Sequence, residues 1–122
     1  MPSYFVVENL LNQVEIPKDR SVSLTIHHDE RVKVVLFGLS PGQELSRHLT
    51  AVPAILEILQ GEARVTLNGE AKELTRGSWI FLEPSLPLAV YAKTEVVMLQ
   101  TMLVVSGGAP KVSTISTTKP NR

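Results

Sequence analysis

The chain has 122 residues, 43% of them hydrophobic, which suits one domain with a buried core. Twelve basic residues balance twelve acidic ones, so no net field draws it to nucleic acid or to an anionic membrane surface. With no cysteine it has no disulfide, thiolate ligand or cysteine nucleophile, and no apolar run reaches membrane-spanning length.

The opening "MPSYFVVENLLNQVEIPKDR" lacks the basic start and long apolar stretch of a secretion signal, so a cytoplasmic protein is expected. Apolar residues at Phe5, Val6, Leu10, Leu11 and Val14 predict a short amphipathic helix or arm that stops before Pro17. A strand over Phe5 to Val7 is the competing reading. "SVSLTIHH" places Val22, Leu24 and Ile26 on one face, the alternation of a strand. "VKVVLFGL" is a strand whose nearly continuous apolar run predicts burial on both faces.

"SPGQ" breaks the chain, and Pro53 argues against a central strand in "ELSRHLTAVP". "AILEIL" reads as a strand ended by Gly61. "ARVTL" and "EAKEL" flank Asn68-Gly69, a strong hairpin signal because both residues tolerate positive φ. After "TRGS", "WIFLE" is a strand, "PSLPLAVYA" a proline-punctuated edge or bend, and "EVVMLQTMLVV" a long last strand. Strands at intervals of about eight to twelve residues predict an all-β fold, an antiparallel sandwich or jelly-roll barrel. The domain is expected over residues 1–104, with 105–122 a polar tail rich in Gly, Pro, Ser and Thr.

The stretch from Gly42 to Ala92 carries the spacing of two known motifs. The sequence resembles a small single-domain cupin of the RmlC-like jelly-roll superfamily. The first family motif is G-x5-H-x-H-x3,4-E-x6-G, and here Gly42, His48, Thr50, Ala54 and Gly61 stand at its fixed positions. The second is G-x5-P-x-G-x2-H-x3-N, and here Gly77, Glu83, Ser85, Leu88 and Ala92 stand there. The resemblance covers roughly residues 32–104 and implies a double-stranded β-helix. It does not fix a function, because this fold hosts enzymes, sensors and storage proteins alike.

The resemblance implies a metal site of three histidines and a glutamate at His48, Thr50, Ala54 and Leu88. Only His48 is a good ligand there, and tight sites need about three or four protein donors. No cofactor is therefore expected. In the alternative, a divalent metal is held by relocated ligands, His48 with His27 or His28, for dioxygenase- or isomerase-like chemistry. His27 and His28 are adjacent in a strand, so they point to opposite faces. Glu57 lies three residues after Ala54 and should face away from any pocket.

The sequence reading is thus a non-catalytic small-molecule-binding or sensory module. Its candidate pocket residues are His48, Thr50, Ala54, Leu56, Leu88, Met98, Gln100 and Met102, with Gln100 as an amide that orients a small apolar or amphipathic ligand. A homodimer is expected, as the resemblance implies and as the two apolar faces of one strand suggest, Trp79 and Phe81 on one and Ile80 and Leu82 on the other. No nucleic acid or membrane partner is expected. A purely structural reading, in which Leu56, Ile58, Leu88 and the methionines fill the barrel, stands beside these.

Overall fold

The computed structural model describes residues 3–45 and 51–104. Among these residues, nine antiparallel strands form two sheets. They are β1 (Ser21–His28), β2 (Val32–Leu39), β3 (Glu44–Leu45), β4 (Ala54–Gln60), β5 (Glu62–Leu67), β6 (Glu70–Thr75), β7 (Trp79–Leu82), β8 (Leu88–Ala92) and β9 (Val96–Leu103). One sheet has the order β1-β2-β9-β4-β7 and the other β3-β8-β5-β6. The jelly roll expected from the strand rhythm is present.

Alternation decides which side chains enter the barrel. Ala54, Leu56 and Ile58 of β4 are buried, as are Ala63 and Val65 of β5 and Leu88, Val90 and Ala92 of β8. With Leu39, Leu82, Val96 and Met98 they make one apolar cluster between the sheets. The β5–β6 turn uses Asn68 at φ 51 and Gly69 at φ 86, the doubly positive pair that matches strand twist.

Strand β2 is buried on both faces over residues 35–39, as its nearly continuous apolar run predicts. Leu39 faces the barrel, whereas Leu36 is fully buried outside that cluster. The cover comes from the N-terminal segment. A Cβ on Gly38 would stand 2.7 Å from Ile16 Cγ1 and 3.0 Å from Val14 Cγ2. The missing side chain lets the arm lie directly on the sheet.

Two local expectations are corrected. The N-terminal helix is only a 3-10 turn over Leu10–Gln13, and Phe5 to Val7 is not a strand. Asn9 caps the turn by accepting a hydrogen bond from the Leu11 amide at 3.0 Å. The β-branched Val6, Val7, Val14 and Ile16 around it favour extended backbone, so the helix does not propagate. Of the two readings of "PSLPLAVYA", the edge is excluded, since β8 pairs with β3 on one side and β5 on the other, while the bend is present as the turn at Pro84 and Ser85. Both prolines precede Leu88, so no ladder donor is lost within the strand, and the Pro87 carbonyl accepts from the Asn68 amide at 2.9 Å.

Candidate functional site

Four elements converge at one end of the barrel. Strand β4 begins there at Ala54, β7 ends there at Leu82, and β8 begins there at Leu88. Strand β3 runs antiparallel to β8 toward the same end, where the described chain leaves at Leu45 and resumes at Ala51. The register gives three successive rows of barrel-facing positions. Lys33, Met102, Ala54 and Leu82 form the row at the rim. Val35, Gln100, Leu56 and Ile80 form the next, and Phe37, Met98 and Ile58 the third. Leu67, opposite Leu88, and Val65, opposite Val90, close the space from the other sheet.

Ala54 is 0% exposed and Leu88 4% exposed, and both belong to the core cluster. These are the positions of the glutamate and the second-motif histidine in the family pattern. Neither side chain has a donor atom, so the residues there do not fit the ligand set that the resemblance implies. His48 and Thr50 lie outside the described residues. Glu57 stands opposite Trp79 and Leu99, on the outer side of the sheet, as expected.

His27 and His28 take opposite sides of β1. His27 pairs in register with Val34 and His28 with Lys33. His27 Nε2 lies 3.0 Å from Asp29 Oδ2, and its ring is 5.8 Å from the Phe5 ring of the N-terminal arm. Asp29 also accepts from the Arg31 and Val32 amides at 2.7 and 3.0 Å and from the Arg31 guanidinium at 3.1 Å. The His27 bond first, then these donors, holds its carboxyl well below the usual carboxylate range. This cluster builds a tight β1–β2 turn and keeps His27 occupied on the outer surface. Among the described residues no three His, Cys, Asp or Glu side chains come together to hold a metal ion.

Two polar side chains are buried among the described residues, Ser40 and Gln100. Ser40 Oγ accepts from the Asp19 amide at 3.0 Å. Gln100 is 1% exposed, and its Nε2 has no hydrogen-bond partner among the described residues. An unsatisfied buried donor costs about 1–3 kcal/mol. The Met98–Gln100–Met102 alternation made Gln100 visible in the sequence, but not its isolation, which depends on apolar neighbours from β2 and β4. Of the other pocket candidates, Leu56 and Met98 are buried in the packed core and Met102 packs at its margin.

A groove of about 230 Å³ lies at the β5–β8 end, lined by Thr66, Gly69, Pro87, Leu88 and Ala89. Thr66 and Ala89 are opposite one another on the outer side of the sheet, whereas Leu88 faces inward, so the groove takes in both sides of the β5–β8 end.

No protein-family model matches the sequence, and no curated protein matches it. Solved structures do. A conserved protein of unknown function from Streptococcus pyogenes is 27% identical, with TM-score 0.76 over 87% of this chain and 93% of that one. An RmlC-like cupin from Desulfovibrio desulfuricans is 28% identical, with TM-score 0.75 over 83% of this chain and 98% of that one. A cupin superfamily protein from Desulfitobacterium hafniense is 23% identical, with TM-score 0.76 over 86% and 95%. The chain is a small cupin-fold domain. Among the described residues no helix is long and apolar enough to cross a membrane.

Proposed function

We propose that this cupin-fold domain is a non-catalytic binding module of the cytoplasm, without the family's metal, that takes a small apolar or amphipathic molecule. The observation that carries the reading is the pair Ala54 and Leu88, two buried carbon side chains where the family pattern has ligands. Replacing buried ligands by carbon removes the cost of desolvating charge. It leaves a rim of Ala54, Leu82, Leu88 and Met102 around one interior amide, Gln100. Methionine has the flexible, polarizable side chain suited to reshaping around such a guest.

A second reading has its own observation. Leu56, Ile58, Leu88 and Met98 pack together in the core, which favours a structural module whose barrel is filled. In both readings the chain acts as a homodimer, because the outer face of the five-stranded sheet carries exposed Trp79 and Phe81 beside Ile55 and Leu99.

The test is elemental analysis of untagged protein, after incubation with iron, manganese, nickel and zinc and exhaustive desalting. The expected result is no stoichiometric metal. A stoichiometric metal would overturn the non-catalytic reading in favour of relocated ligands, with His48 and His27 or His28 the first substitutions to make.

A further inference from the structure

Gln100 is out of place energetically. Its register neighbours are Val35 on β2 and Leu56 on β4, and Met98 and Met102 flank it on the same face of β9. None of these side chains is a good acceptor, since a thioether sulfur accepts only weakly. The register neighbours Val35, Leu56, Met98 and Met102 also give a buried water no good side-chain partner, and such a water needs two to four. Leucine or methionine would fill the position without stranding a donor. Residues that break the packing rules of an otherwise consistent core mark function more often than accident.

We infer that Gln100 Nε2 is the polar determinant of the interior site and donates a hydrogen bond to the oxygen of a neutral carbonyl compound with an apolar body. This inference rests on the binding reading above and specifies its ligand class. The amide donates, so the guest must supply an acceptor. Ala54, Leu56, Leu82 and Leu88, which now pack in the core beside the Gln100 row, would have to part to enclose the body of the guest with carbon. A carboxylate is disfavoured at this depth, because one neutral donor does not replace the hydration of a buried charge. Lys33 stands in the rim row opposite Met102, one step outward from Gln100, so an anion would be drawn to the rim instead. Ketones, esters and lactones are the class that fits.

The test uses three probes of nearly one shape: acetophenone, ethylbenzene and benzoate. Binding to the full-length protein is followed by calorimetry and by the Gln100 side-chain amide resonance in 15N-edited NMR spectra. Acetophenone should bind at least about tenfold more tightly than ethylbenzene, the discrimination a site gains from one hydrogen bond. Benzoate should be weaker than acetophenone. The Gln100→Leu variant should lose the preference for acetophenone over ethylbenzene. Without ligand it should melt about 5 °C above the wild type, because the stranded donor is gone.

If acetophenone and ethylbenzene bind equally, or the preference survives in Gln100→Leu, the role of Gln100 is overturned while the binding reading stands. If none of the probes binds at millimolar concentration, the binding reading fails as well. If ligand-free Gln100→Leu melts below the wild type, the amide has an acceptor within the chain and the inference is wrong. Gln100→Met guards against a packing artefact, since it should reproduce both the stabilisation and the loss of preference.

Discussion

Ala54 and Leu88 stand on different sheets at the same end of the barrel and share one buried apolar cluster. The cupin spacing has therefore brought two family ligand positions together with carbon at both. That placement can be checked by rebuilding the donor set. The triple variant Thr50→His, Ala54→Glu, Leu88→His, with the native His48, should bind cobalt or zinc stoichiometrically, while the wild type should not. Ala54→Glu alone should lower the unfolding free energy by about 4 kcal/mol, the high end for a point substitution, because it buries an unpaired carboxyl. Metal should raise the melting temperature of the triple variant and leave the single variant unchanged. A triple variant that folds yet binds no metal would mean that the motif alignment misplaces the site.

Gly61 and Gly69 both have positive φ, +91 and +86, but their surroundings differ. A Cβ on Gly69 meets nothing within 4 Å, whereas one on Gly61 would run into the Glu95 backbone carbonyl. Gly69→Ala should cost only the left-handed backbone penalty, about 1 kcal/mol. Gly61→Ala should cost about 3 kcal/mol, because steric displacement of the β8–β9 connection adds to the strain. Denaturant unfolding of the two variants measures the difference. Equal losses would show that the close approach of Gly61 to Glu95 does not exist in solution.

These two glycines also show how far the sequence could be read. Gly61 reads as a strand terminator and Asn68-Gly69 as a hairpin, because turn chemistry is local. The alternation of Val22 and Leu24 is likewise local, as is the two-sided apolar run of β2, but the register shift between Thr25 and His27 takes Ile26 out of that alternation. The element that covers the outer face of β2 is not. Val14 and Ile16 reach Gly38 across more than twenty residues, and no periodicity announces that contact. The prolines before β8 marked the bend correctly and misled only about an edge, for a related reason. Their penalty falls on their own positions, and whether a strand is central depends on partners far away in the chain. Motif spacing singles out Ala54 and Leu88, and what the structure adds is their place in one buried cluster. The unpaired state of Gln100 required knowing that Val35 and Leu56 flank it.

Asp29 gives a pH signature. The His27 bond, then the Arg31 and Val32 donors, depress its pKa, so its folded value lies below its unfolded one. The stability that it contributes is then fully present at neutral pH. It fades as pH falls through the ordinary carboxylate value and below, where the unfolded chain takes up the proton first. Wild type should accordingly melt above Asp29→Ala at pH 7, and the gap should close progressively below about pH 4, near the ordinary value for aspartate. A gap that stays constant into acid would show that the turn is held by something other than the Asp29 carboxylate.

The outer face of the five-stranded sheet carries the last prediction. Trp79 is 58% exposed and Phe81 46% exposed, and both lie on β7 at the sheet edge. Beside them in register stand Ile55 and Glu57 of β4, then Thr101 and Leu99 of β9. Tyr4, Phe5 and Val6 of the N-terminal arm are exposed as well. A sheet face of about five strands at ~4.8 Å spacing offers only about half of the roughly 800 Å² per partner that a stable dimer buries. Adding the arm brings the apolar surface into that range, and a two-fold axis would bury the face and arm of both copies at once. With zero net charge, no long-range repulsion opposes the pairing of identical copies. Sedimentation velocity should find a dimer for the wild type. Trp79→Glu with Phe81→Ser should give a folded monomer with an unchanged far-ultraviolet spectrum, since neither side chain belongs to the core cluster. Removal of residues 1–8 should weaken the dimer at least tenfold while leaving the Trp79 face intact. A monomeric wild type at micromolar concentration would assign these aromatics to a different partner.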